Sequence, residues 1–235
     1  MVRDHFPKGL TLLELLLTLA IFSAVIGLLL NSFSQLRKQN RQINSVLTLR
    51  QEMRILEKLL KEDISAAVYL KEFMAMAQHA QDGRKSGIVG ISENYGDLDA
   101  DIIHMHLHAK SKFQRTLPFE SDPELHEVSY YLDVEDQNNP QFKRREELYV
   151  DSDITEGNRS ITHTLSRRVI SFDIKYYTGS QSNEKEEWDS NINSNLLPTG
   201  LKIAITLKDD KGKTLQSEFQ FNVRPSMGSF VHWQS

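Results

Sequence analysis

The stretch KGLTLLELLLTLAIFSAVIGLLL occupies residues 8–30. From Leu15 to Leu36 no charged residue interrupts it, a run of 22 positions. As a helix rising about 1.5 Å per residue it would reach about 33 Å, close to the hydrocarbon thickness of a bilayer. Yet Glu14 stands at its head. A carboxylate deep in a span costs roughly 2.5–3.5 kcal/mol on insertion scales, so such residues usually have a task. A cleaved secretory signal fits poorly, because its apolar core is about 7–15 residues and ends at a small-x-small site. A plain anchor leaves Glu14 unexplained, and a buried core helix of this length is unusual.

The remainder of the 235-residue chain is polar, with a mean hydropathy of -0.44 over the whole. That pattern describes one anchor and one soluble body. Net charge is -4, with 28 basic and 32 acidic residues, and gives no footing for nucleic-acid binding. The absence of cysteine excludes a disulfide framework, a thiol nucleophile and cysteine-ligated zinc.

Gly9-Leu10-Thr11-Leu12-Leu13-Glu14 follows a short leader bearing Arg3 and Lys8 and precedes the apolar run. This arrangement resembles the cleavage and methylation motif of type IV prepilins and type II secretion pseudopilins. The resemblance implies a leader of residues 1–9, cut after Gly9 by a prepilin peptidase, and N-methylation of Leu10. Glu14 becomes the fifth mature residue, where that family carries its characteristic glutamate. The family usually has phenylalanine where this chain has Leu10. Physically, Gly9 lets the backbone enter a peptidase site closely. The new amine of Leu10 and the carboxylate of Glu14 are each costly in hydrocarbon. Pairing between neighbouring subunits would neutralise both. Basic residues flank both ends of the run (Arg3 and Lys8; Arg37, Lys38 and Arg41), so a cytoplasmic leader is implied by the resemblance and not by charge asymmetry.

Beyond the anchor, residues 10–36, apolar positions recur at Ile43, Val46, Leu47, Met53, Leu56, Leu60, Ile64 and Val68. Steps of three, four and seven predict that one helix continues through an amphipathic half, residues 37–75, into the low 70s. After the break QDGRKSG (residues 81–87) the period changes to two. Ile103, Met105 and Leu107 alternate with polar neighbours, as do Val128, Tyr130, Leu132 and Val134. Ile170, Phe172, Ile174 and Tyr176 follow, then Leu201, Ile203, Ile205 and Leu207, then Phe219, Phe221 and Val223. Each run predicts a strand with one buried face. KDDKGK (residues 208–213) predicts a hairpin turn, and residues 178–195 a long, mobile polar loop carrying Trp188. Residues 76–235 thus form a β-rich domain, and the fold class is α+β, a long helix packed on antiparallel sheet.

The succession HEVSYYLDVED, FKRREELYV, RRVISFDIKYY, a tryptophan loop and LLPTGLKIAITLKD resembles the J-type minor pseudopilin of type II secretion. That resemblance implies a place at the tip of the periplasmic pseudopilus, in the bacterial inner membrane by its anchor. The implied partners are the I-type and K-type minor pseudopilins and the major pseudopilin. The sequence shows no Gly-rich phosphate loop and no nucleophile elbow around its Ser, His and Asp residues, so neither a cofactor nor enzymatic activity is expected.

Other motifs carry less. His104, His106 and His108 in HMHLH share one strand face at a zinc-ligand spacing. An ordinary amphipathic strand, with the histidines on its solvated or interface face, explains them as well. Asp97, Asp99 and Asp101 have calcium-loop spacing, but Ile102 and His108 stand where glycine and glutamate belong. LPTG (residues 197–200) lacks a sortase spacer and reads as the approach to a strand. Two other functions fit the anchor: a minor pilin of a type IV pilus, and an uncleaved single-span periplasmic binding module. The second predicts that Gly9→Ala leaves the chain's size unchanged.

Overall fold

The computed structural model describes residues 12–70, 85–96, 98–112, 124–136, 139–148, 150, 154–155, 157, 160–179, 183–194 and 196–223, excluding the side chains of residues 40–42. The chain divides into two compact units, Met1–Thr48 and Leu49–Ser235.

Helix α1 runs Leu12–Ser65. Its part in the first unit meets the length and composition required to cross a membrane, and none of its most apolar window is buried. Leu12, Leu15, Leu19, Phe22, Leu29 and Phe33 are all exposed. Three hydroxyls here turn back to their own helix: Thr18 donates to the Leu15 carbonyl, Ser23 to Leu19 and Ser34 to Asn31, at 2.7–2.9 Å. A hydroxyl satisfied within its own helix is suited to a medium without water. Arg37 lies over the Phe33 ring, 4.5 Å from guanidinium carbon to centroid, at the polar end of the run.

The second unit begins where the helix becomes amphipathic. Leu49, Met53, Leu56, Leu60 and Ile64 repeat at helical spacing and are buried. The helix ends at Ser65 and does not reach the low 70s. The next residues turn to strand-like pairing instead. Ala67 bridges Leu107, the Val68 amide donates to the His106 carbonyl, and the His108 amide donates to Ala66. This termination has no Gly or Pro to announce it; β-sheet pairing outcompetes the helix.

Two antiparallel sheets cover the helix stripe. The first has β1 (Ile88–Ile91), β4 (Ile102–His108), β5 (Leu125–Asp133), β6 (Gln141–Glu147), β7 (Ile161–Ser166) and β10 (Trp188–Asp189). Its order is β10-β1-β4-β5-β6-β7. The second has β8 (Val169–Tyr177), β9 (Glu184–Lys185), β11 (Gly200–Lys208) and β12 (Thr214–Asn222), in the order β12-β11-β8-β9. A small hairpin joins β2 (Asn94–Tyr95) and β3 (Leu98–Asp99). The fold is therefore the α+β helix-on-antiparallel-sheet arrangement read from the sequence.

Register decides which residues enter the core. On β4 it is Ile103, Met105 and Leu107; on β5 Val128, Tyr130 and Leu132; on β11 Leu201, Ile203, Ile205 and Leu207. On β8 the alternation is displaced at its start. The β8–β11 register shifts between Thr206 and Leu207, so Val169 pairs with Leu207 and is buried, while Ile170 is not. Phe142 meets Phe172 edge-on, 4.8 Å between centroids.

The segment carrying Trp188 is also ordered more than its composition suggests. Trp188 pairs with Gly90 across β10–β1, stacks on Tyr176 at 6.3 Å and is buried. Its indole N–H donates to Ser190 Oγ, whose oxygen also accepts the Ile88 amide. Gly90 is required here, because a Cβ at this position would collide with the Tyr176 hydroxyl.

Candidate functional site: the anchor motif and a buried ionic latch

Gly9 and Leu10, the residues read as the cleavage and methylation point, lie outside the described residues. Glu14 is in the first turn of α1, exposed and flanked by exposed Leu12, Leu13, Leu15 and Leu16. Carboxylates favour a helix N-terminus because they complement the positive end of the macrodipole. Glu14 is thus compatible with its helix while remaining unsuited to a lipid surface.

The body contains a feature that the hydrophobic pattern does not announce. Asp63 lies in the last turn of α1, where the negative end of the helix disfavours a carboxylate. It is buried, as are Tyr130, Arg144, Glu146 and His126 from β5 and β6. Asp63 Oδ2 accepts from the Tyr130 hydroxyl at 2.6 Å and from Arg144 Nε at 2.9 Å. Lys112 Nζ lies 2.6 Å from Asp63 Oδ1. Arg144 Nη1 donates to Glu146 Oε2 at 2.8 Å, and His126 Nε2 lies 3.1 Å from Glu146 Oε1. Arg144 is thereby held between two carboxylates, one from the helix and one from its own strand.

Burial pushes the Tyr130 hydroxyl well above its ordinary value, and the Asp63 charge reinforces that. For Glu146, burial works upward, but contacts with His126 and Arg144 outweigh it and hold the carboxyl at about 2. The Arg144 guanidinium is raised against the effect of its own burial by Tyr130, Asp63 and Glu146. These groups form a charged latch between the end of α1 and the sheet, within the second unit. Such a cluster is rigid when complete and costly when one member is missing. The only sequence signal was the strand FKRREE, where Phe142, Arg144 and Glu146 share the core face and only one of them is apolar.

The opposite face of the same sheet corrects the reading of HMHLH. His104 and His106 are buried, and only His108 is exposed, 3.4 Å from Glu124. His106 Nδ1 accepts the Gly87 amide at 3.2 Å, which leaves Nε2 as the ring N–H that faces Glu127 Oε1 at 3.1 Å. His104 Nδ1 lies 2.7 Å from Ser129 Oγ. Residues 85–87 and 154–155 cover this face. Ser86 Oγ sits 3.3 Å from His106 Nδ1, and Arg145 Nη2 donates to the carbonyls of Ile154 and Thr155. Among the described residues no group of three or more His, Asp and Glu side chains has the geometry to hold a metal ion.

Of the three aspartates, Asp97 lies outside the described residues and Asp99 accepts from Ser171 Oγ at 3.3 Å. Asp101 is buried and accepts the Ile174 amide at 2.7 Å and the Glu93 amide at 3.1 Å. Burial raises its carboxyl to about 6, with those two amides opposing. Its role is to finish the edge of β8 where β9 stops.

A long apolar helix headed by a carboxylate, with an amphipathic continuation on antiparallel sheet, is the arrangement of a pilin-like protein. The family model of type II secretion system protein J matches residues 31–214, well over half of the chain, and the chain belongs to that family. The match begins after Glu14, so it supports the reading of the body independently of the N-terminal motif. No curated protein matches the chain. The family is one of structural secretion components, not of enzymes.

Proposed function

We infer that the chain is a minor pseudopilin, cut after Gly9 by prepilin peptidase, methylated at Leu10 and assembled at the tip of a periplasmic pseudopilus to support protein export. The anchor crosses the inner membrane once and leaves the body in the periplasm. Its neighbours in the filament are the I-type and K-type minor pseudopilins and the major pseudopilin. The observation that carries this reading is Glu14 at the head of an apolar helix whose side chains are exposed, in a chain of the protein J family. Such a surface asks for other helices, and a carboxylate at the head of a membrane-spanning helix is best tolerated where neighbouring subunits bring an amine near it.

Glu14→Leu separates insertion from assembly. The variant is expected to be processed and to stay in the membrane, but to be lost from isolated pseudopili and to reduce export. Incorporation at the wild-type level would contradict the role given to Glu14.

A further inference from the structure

Outside α1, four large apolar side chains among the described residues stand exposed: Leu98, Ile161, Ile192 and Leu196. The last two are the most exposed, at 82% and 62%, and both lie in the connection between β10 and β11. That connection is not loose. Asp189 Oδ1 accepts the Asn191 amide at 2.9 Å, and the Asp189 carbonyl accepts the Asn193 amide at 3.0 Å and Asn193 Nδ2 at 2.8 Å. Lys185 Nζ donates to Asn193 Oδ1 at 2.7 Å, and the Leu196 amide donates to the Asn193 carbonyl at 3.2 Å. Between them Ser194 is held at a φ of 60°, which a residue other than glycine keeps only where its surroundings fix it. Trp188 roots the loop in the core, and the Tyr69 hydroxyl reaches Asn191 Oδ1 at 3.4 Å from the chain that leaves the end of α1. Ile192 and Leu196 are therefore carried outward on a fixed frame, so that docking through them demands little further ordering.

The charge beside these two side chains defines what fits them. Residues 184–189 hold Glu184, Glu186, Glu187 and Asp189 against Lys185 alone. Glu184 accepts from the Tyr177 hydroxyl, Asp189 meets Lys85 at 3.4 Å, and Lys185 lies over the Trp188 ring. Glu186 and Glu187 are exposed and form no ion pair among the described residues. Their negative charge is not cancelled locally: burial, then the Asp99 charge and, against Lys175, that of Glu186 push the Asp173 carboxyl up. An anionic lipid surface would repel this loop, and two copies meeting through it would set acid against acid. An apolar cleft rimmed by lysine or arginine matches both the exposed carbon and the unpaired carboxylates.

We propose that residues 189–196 form a docking loop whose Ile192 and Leu196 enter an apolar cleft on a different protein, with lysine or arginine on the rim of that cleft facing Glu186 and Glu187. The apolar pair supplies the holding energy, and the carboxylates steer the approach. The loop belongs to the body, and its role stands whether or not the chain is cut after Gly9.

The test places a photo-crosslinking phenylalanine analogue at Leu196 of the full-length chain in its native membrane, with adducts mapped by mass spectrometry. The expected result is one protein, labelled in a segment with apolar residues and a lysine or arginine beside the labelled site. Ile192→Ser should lower the adduct yield roughly tenfold, since it removes one anchor. Glu186→Lys combined with Glu187→Lys should lower it about threefold and abolish its decline with added salt. Ile161→Ser, at an exposed apolar residue of β7, should leave the yield unchanged. Adducts to lipid or to a second copy, labelling scattered over many proteins, or no adduct would overturn the proposal. So would a yield indifferent to Ile192→Ser or to the charge reversal, or one that falls equally with Ile161→Ser.

Discussion

Glu146 and Asp101 are buried carboxylates with opposite pH signatures. Glu146 is held at about 2 against an ordinary 4.5. Its contribution to stability is present above pH 4.5 and is lost as pH falls toward 2. Glu146→Gln should destabilise the body by about 3–5 kcal/mol at neutral pH, because it leaves Arg144 and His126 short of a partner. It should also flatten the acid dependence of the urea midpoint in that window. Asp101 is raised from 3.8 to about 6, so its contribution is present below pH 3.8 and is lost as pH rises through 6. Asp101→Asn is expected to remove this decline while keeping an oxygen acceptor. At Gly90 the constraint is steric. Gly90→Ala forces a methyl into the Tyr176 hydroxyl and should cost about 1–3 kcal/mol in chemical denaturation.

Among the elements, α1 joins two kinds of surface, and its sequence states both. The uncharged run and the stripe from Met53 to Ile64 were legible because burial on one side or on none sets the period directly. The strands were legible by alternation. The stop at Ser65, the ionic latch and the order around Trp188 were not, for related reasons. Each depends on partners distant in sequence: Asp63 on Arg144 and Tyr130, Val68 on His106, Trp188 on Gly90 and Tyr176. A polar composition in residues 178–195 suggested a mobile loop, but one buried indole ties its centre to β1. The same distant pairing buries His104 and His106, which alternation alone assigns to the side away from the core. Trp188→Ala should cost about 3–5 kcal/mol and expose residues 183–194 to limited proteolysis. Wild-type resistance to protease in that variant would show the indole to be dispensable.

For the molecule as a whole, the protein J family match and the N-terminal motif occupy different parts of the chain and lead to the same reading. The body from Leu49 onward has its own core, and its latch fixes the helix end without help from the anchor. On the proposed function, a form lacking about the first 35 residues is expected to co-purify with the I-type and K-type minor pseudopilins. Failure to bind either partner would favour a pilus subunit over a secretion subunit. The central claim concerns the amine and carboxylate at the head of the helix. Mass spectrometry of the N-terminus of the protein from its native membrane tests it most directly. The account predicts a chain beginning at N-methylated Leu10. An intact chain beginning at Met1 would contradict it.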